Sequence, residues 1–162
     1  MEKLLHYVWK HKILPLKALL TTDGREVEII DPGIHNTDQG PDFFNAKVKI
    51  DGTLWAGNVE LHLKSSDWFK HGHDTDSAYN NTILHIAQNI DCDVTTEEGN
   101  HPPQLQLDIP AHLYLNYQEL CQTDDYPRCH RIIPSIPTMK AHMWMDALLA
   151  ERMKQRAQKV HL

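Results

Sequence analysis

The stretch that decides the fold is Phe43-Phe44-Asn45-Ala46-Lys47-Val48-Lys49-Ile50, then Asp51-Gly52, then Thr53-Leu54-Trp55-Ala56-Gly57-Asn58-Val59-Glu60-Leu61-His62-Leu63-Lys64. In the first arm Phe44, Ala46, Val48 and Ile50 alternate with Asn45, Lys47 and Lys49, the period of a half-buried strand. Asp51-Gly52 signals a two-residue hairpin turn, so the second arm returns beside the first. On that arm the same alternation sends Glu60, His62 and Lys64 out of one face, neighbours ~6–7 Å apart at ~3.3 Å per residue. Asp42, at the entry to the first arm, is then placed to meet Glu60 across the hairpin.

Outward toward the N-terminus, Leu4, Leu5, Val8, Trp9, Ile13, Leu16, Leu19 and Leu20 recur at roughly helical spacing, and Pro15 divides them into a helix and a second short one. Thr22-Asp23-Gly24 is a turn signal, Val27, Ile29 and Ile30 suggest a strand ending at Asp31-Pro32-Gly33, and residues 34–41 read as loop. Toward the C-terminus, residues 65–81 are polar and read as loop with a helical turn. Thr82 to Ala87 fits a buried strand, residues 91–100 a turn, Gln104 to Ile109 a further strand, and 111–121 a helix. The elements predict an α+β or α/β domain with a mixed central sheet of about five strands, flanked by N-terminal and C-terminal helices.

The expected organisation is a core domain over 1–121, a connector over 122–137 with prolines at 127, 134 and 137, and a helical C-terminal region beginning at 138. Pro137 is well placed to start a helix. Met143, Trp144, Ala147, Leu148 and Ala150 share its apolar side, and Arg152, Lys154, Arg156 and Lys159 form a basic tail. That apolar side must pack backward, pair with another copy, or belong with a C-terminal region missing here.

A chain of 162 residues can bury a real core. A formal charge of −6 with pI near 6.0 argues against a broad nucleic-acid-binding face, leaving only a local basic groove open to that partner. Twelve histidines make metal affinity and charge sensitive to pH between about 5 and 8. Cys92, Cys121 and Cys129 form no CxxC pair, which excludes a disulfide framework and a zinc ribbon. Cys129-His130 lacks a third partner for a nucleophilic pair. No run approaches the ~18 apolar residues of a membrane span, and the N-terminus lacks a signal-peptide core, so the expectation is a cytoplasmic protein with no membrane partner.

Two chemistries fit these residues. Asp42 and Glu60 offer hard oxygen ligands for Mg²⁺ or Mn²⁺, with His62 or Lys64 to orient water or stabilise charge on a phosphodiester; the substrate would be nucleic acid. A solvated strand face carrying Glu, His and Lys is the alternative. Separately, His71 and His73, with His62 upstream and Asp76 and His85 downstream, hold the donor inventory of a catalytic Zn²⁺ site. Spacing does not show that they converge, and solvent-exposed loop histidines are the alternative. His85, inside an apolar strand, reads as a satisfied core residue and Trp68 as packing against the hairpin. A third reading is a non-catalytic scaffold or binding module that uses the long helix for assembly, marked by Asp42 and Glu60 capping backbone amides or pairing with lysines rather than facing an open cleft.

Thr21-Thr22-Asp23-Gly24, Ile30-Asp31-Pro32-Gly33, Asn36, Gly40-Pro41-Asp42-Phe43-Phe44-Asn45-Ala46, Gly57-Asn58-Val59-Glu60-Leu61-His62, Lys64-Ser65-Ser66-Asp67-Trp68, His71-Gly72-His73, Tyr79-Asn80-Asn81 and Ile83-Leu84-His85 together resemble an uncharacterised bacterial family of unknown function. The likeness covers about the first 110 residues. Members of that family are longer, which implies that the last helix continues into a region absent here. A looser similarity links the hairpin to restriction-endonuclease-like phosphodiesterases of the PD-(D/E)XK group. Pro41-Asp42 matches the first element of that pattern and Glu60 the acid of the second. His62 stands in the lysine place, with Lys64 one step further along the face.

Overall fold

The computed structural model describes residues 2–13, 18–122, 131 and 133–160. The chain divides into two compact units, Met1–Tyr114 and Leu115–Leu162. The first holds helix α1 (Glu2–Lys10), strands β1 (Leu19–Leu20), β2 (Glu26–Asp31), β3 (Ile34–His35), β4 (Phe43–Ile50) and β5 (Thr53–Lys64), the one-turn helix α2 (Asp67–Lys70), then β6 (Thr82–Asn89) and β7 (Gln104–Gln106). Helix α3 (Ala111–Gln122) spans the division, and α4 (Thr138–Val160) belongs to the second unit.

The fold is α+β, and its sheet has seven strands rather than about five, in the order β1-β2-β4-β5-β6-β7 with β3 paired to β4. The sheet is mixed. β1 through β5 pair antiparallel, whereas β5-β6 and β6-β7 are parallel. Its two outer strands also meet: Thr21 bridges Leu105, and the Thr22 amide donates to the Gln104 carbonyl at 2.8 Å.

The extra strands come from short segments that hydropathy does not mark. Leu19 and Leu20, expected in a second helix, pair with Val27 and Glu26 because the Thr22-Asp23-Gly24 turn folds them back as a hairpin. Pro15 and Leu16 lie outside the described residues. Ile34 and His35, expected in loop, pair with Phe44 and Phe43. The last strand stops at Gln106, short of the expected Ile109, ahead of Pro110.

The central hairpin forms as its turn signal dictates. Asp51 and Gly52 both take positive φ, 53° and 77°, the type I′ geometry that matches strand twist. Within β4, however, the register breaks: Phe43 pairs Val59 and Ala46 pairs Gly57, so Phe44 and Asn45 together oppose Asn58. Asn45 sits at φ 54°, the left-handed conformation that Asn tolerates in a bulge. The bulge corrects the expected alternation. Phe43 is fully buried with Ala46, Val48 and Ile50, while Phe44 is only half-buried.

Val59, Leu61, Leu84 and Ile86 are buried on β5 and β6, and helix α1 packs against β5 with Leu4, Leu5, Val8 and Trp9 buried. Each such aliphatic contributes roughly 1.5–3 kcal/mol by leaving water. The Trp9 indole, fully enclosed, donates to the Pro32 carbonyl at 3.1 Å, so its polar edge is satisfied.

In the second unit, α4 carries Met143, Trp144 and Leu148 exposed, and the 3₁₀ turn Ile133–Ser135 precedes it. Residues 123–130, including Pro127 and Cys129-His130, lie outside the described residues. Among the described residues no helix is long and apolar enough to cross a membrane.

Candidate metal centre

The bulge at Asn45 builds the site. Continuing the Ala46–Gly57 register would set Asp42 opposite Leu61; the inserted residue sets it opposite Glu60 instead. The parallel ladder then pairs Glu60 with His85, and His85 with Gln104. Asp42, Glu60, His85 and Gln104 thus form one polar row across four adjacent strands, and His62 stands one pair further along β5 on the same face. Glu60, His62, His85 and Gln104 are each at most 4% exposed.

Burying so many polar groups is tolerable only if they are partnered. The Asp42 amide donates to Glu60 Oε2 at 2.9 Å, and the Leu61 amide donates to Asp42 Oδ2 at 3.0 Å. Each acid therefore caps a backbone group and also lines a solvent cavity of about 510 Å³. His85 Nδ1 lies 3.0 Å from Gln104 Oε1, and His85 Nε2 lies 2.9 Å from His62 Nδ1. His85 is the satisfied core residue expected from the sequence, and it links two others.

The segment after β5 brings the loop histidines over this face. Asp67 opens α2 after Ser66 at its N-cap, and the buried Trp68 indole donates to the Thr95 carbonyl at 2.8 Å. Trp68 presses edge-on against His62, His73 and His85, with centroids 6.4, 5.3 and 5.3 Å away. Gly72, at φ 75° in the left-handed region, reverses the chain between His71 and His73 so that both face the site. Tyr79 then stacks on His73 at 3.8 Å between centroids.

The result is convergence. One ligand nitrogen from each of His62, His71 and His73 falls within 4.8 Å of the others, a set that can hold a metal ion. His62 Nε2 is 3.2 Å from His71 Nδ1 and 3.6 Å from Glu60 Oε1, and His73 Nε2 is 3.1 Å from the same oxygen. Donors ~2.0–2.2 Å from a tetrahedral Zn²⁺ stand about 3.3–3.5 Å from one another, and these three separations are close to that edge length, while Glu60 lies outside the three-histidine set that falls within 4.8 Å. His73 is 7% exposed, and its Nε2 makes no hydrogen bond even though Glu60 is within reach. His71 is exposed and marks the open side.

Electrostatics favour neutral rings at His62 and His85. Burial, helped by the neighbouring histidines, holds His62 down to about 2, and burial holds His85 at about 4. Burial raises the Glu60 carboxyl and the Asp42 charge adds to that, against the His73 imidazole and the Asp42 amide. Burial likewise raises the Tyr79 phenol, with Glu60 adding, so it stays a hydrogen-bond donor at the cavity wall.

Of the residues singled out in the sequence, Asp42, Glu60, His71, His73 and Asp76 line the cavity and His62 lies directly behind Glu60. The Asp76 carboxylate also accepts from the Ala78 amide at 2.9 Å, capping a 3₁₀ turn. Lys64 ends β5 with its side chain exposed and does not line the cavity. His6 and Gln104 carry no role in the sequence expectations, and Tyr79 enters them only within the Tyr79-Asn80-Asn81 motif. His6 Nε2 lies 3.2 Å from Asp42 Oδ2; burial works against its charge, but the carboxylate outweighs burial and raises its pKa. Nothing in helical spacing marks His6, and alternation with Leu105 and Leu107 sends Gln104 to the face that reads as solvent-facing, whereas the structure buries it.

The chain belongs to the family described as Protein of unknown function (DUF2851), whose profile matches residues 2–162. The match runs through α4, beyond the first 110 or so residues whose motifs carry the likeness. Comparison with curated proteins and with solved structures gives no match. The family description supplies no activity and no support for the restriction-endonuclease-like likeness.

Proposed function

We propose that this protein is a transition-metal-dependent hydrolase, with zinc held by His62, His71, His73 and Glu60. The observation that carries this reading is the convergence of one ring nitrogen each from His62, His71 and His73, two of which, on His62 and His73, also face Glu60 Oε1, beside a solvent cavity lined by His71, His73 and Glu60. A donor set rich in imidazole suits Zn²⁺ over Mg²⁺, which prefers oxygen and water. A metal there lowers the pKa of bound water to about 7 and polarises the scissile group. Asp42 lines the same cavity and is one carboxylate there that could accept a proton, and Tyr79 supplies a phenol at its wall.

A second reading keeps the hydrolase and changes the metal and substrate: Mg²⁺ or Mn²⁺ between Asp42 and Glu60, acting on a phosphodiester of nucleic acid. It is favoured by the two carboxylates facing each other across β4 and β5 in one cavity. Against it, each acid already spends an oxygen on a backbone amide.

Metal analysis of protein purified without chelator separates the readings. Stoichiometric zinc, lost in His73→Ala and Glu60→Gln, supports the first. Protein free of zinc and unable to take it up in titration rejects it, and cleavage of bis(p-nitrophenyl) phosphate only with added Mg²⁺ or Mn²⁺ favours the second.

A further inference from the structure

The amide of Gln104 has one possible orientation. Its Nε2 faces the Cys92 carbonyl at 3.1 Å and the Asp93 carboxylate at 3.4 Å, groups that only accept hydrogen bonds. Oε1 must therefore be the atom 3.0 Å from His85 Nδ1, and an amide oxygen only accepts, so His85 Nδ1 carries its proton. His85 is fully buried and neutral, which leaves Nε2 bare. At 2.9 Å from that bare nitrogen, His62 Nδ1 must be the N–H donor. His62 is 1% exposed and also neutral, so its own Nε2 is left as a lone pair. That lone pair faces His71 Nδ1 and Glu60 Oε1.

We propose that Gln104 is a positioning residue: through His85 it fixes His62 as the Nδ1–H tautomer and presents the His62 Nε2 lone pair to the cation. The inference rests on the zinc reading above for its ligand, and for its protons on hydrogen-bond geometry between two rings that burial keeps neutral. Gln104 touches neither metal nor substrate. It sits two strands from His62, and its backbone is pinned from the other side, where its carbonyl accepts from the Thr22 amide. An imidazole ligand whose second nitrogen donates to a fixed acceptor is held in orientation and made a stronger donor.

The test uses the full chain, ¹⁵N-labelled and metal-free, read by long-range ¹H–¹⁵N spectra that report which ring nitrogen is protonated. His62 and His85 are both expected as Nδ1–H, Nε2-bare in the wild type. Gln104→Met keeps the side-chain length and removes the acceptor; both tautomers should become mixed and zinc should bind about 10–100-fold more weakly. Wild-type His62 protonated at Nε2, or tautomers unmoved in Gln104→Met, overturns the proposal. The expected tautomers in a wild type that takes up no zinc reject the metal reading instead, so the two failures are told apart.

Discussion

Asp42 and Glu60 bind one another's strand: the Asp42 amide donates to Glu60 Oε2 at 2.9 Å, while Asp42 Oδ2 accepts from the amide beside Glu60, that of Leu61, at 3.0 Å. The acids are structural and functional candidates at once. Glu60→Gln retains an oxygen for the Asp42 amide and should unfold in urea within about 1 kcal/mol of wild type, whereas Glu60→Ala leaves that amide without its partner and should cost about 1–3 kcal/mol. Both should weaken zinc. Equal urea midpoints for the two variants would contradict the capping role.

Zinc itself should stabilise the fold if the histidine set holds it. At free zinc 100-fold above Kd the gain is about 2.7 kcal/mol, a rise in Tm on the order of 10 °C for a unit of this size. His73→Ala should abolish the rise. Identical melting in EDTA and in zinc would be incompatible with the site.

Gly57 permits the close approach of β5 to β6. A Cβ there would lie 2.4 Å from Ile83 Cγ2 and 2.8 Å from the Asn81 carbonyl oxygen, too close for either to stay in place. Gly57→Ala should destabilise by about 1–3 kcal/mol through overpacking, measured by urea denaturation. A neutral substitution would mean that the Ile83 step yields freely.

Ser65 ties the end of β5 to the segment after β6. Its fully buried hydroxyl donates to Asp91 Oδ1 at 2.9 Å and accepts from the Asp91 and Cys92 amides, both at 2.9 Å. Ser65→Ala leaves two amides without that partner and should cost about 2–4 kcal/mol in the same assay.

Asp91 carries a pH signature from the same contacts. The Ser66 amide, the Ser66 hydroxyl and the Ser65 hydroxyl hold its carboxyl down to about 2. A folded-state pKa below the unfolded value of about 3.9 gives stability that is complete above pH ~4 and lost as pH falls through about 2. Asp91→Asn should flatten the acid limb of Tm against pH over that window. A slope unchanged by the substitution would assign the acid sensitivity to other carboxylates.

The hairpin at the centre was legible because its alternation and its Asp51-Gly52 turn agree, and the strand at Thr82 because a short β-branched run has few other fates. The bulge was not. Nothing in Phe43-Phe44-Asn45-Ala46 announces that Asn45 turns left-handed, so the buried aromatic was assigned one residue late. The two-residue strands β1 and β3 were likewise invisible, since tertiary pairing, not propensity, extends them. Of the site, Asp42, Glu60 and the three histidines could be nominated from residue type; their meeting could not, because it depends on how Gly72 turns the chain and how β6 lies parallel to β5. Gln104 was missed for a different reason. A buried glutamine in a short strand looks like a register error until its neighbours' hydrogen-bonding capacities are counted.

The contact of Thr21 and Thr22 with Leu105 and Gln104 has a consequence for the chain's life in a crowded solution. Outermost strands ordinarily leave a row of unused amides and carbonyls on which a second molecule can add, the first step of fibre growth. Here the opposite borders of the sheet occupy one another at that point, so variants that loosen Thr21 or Thr22 should aggregate before they lose their secondary structure.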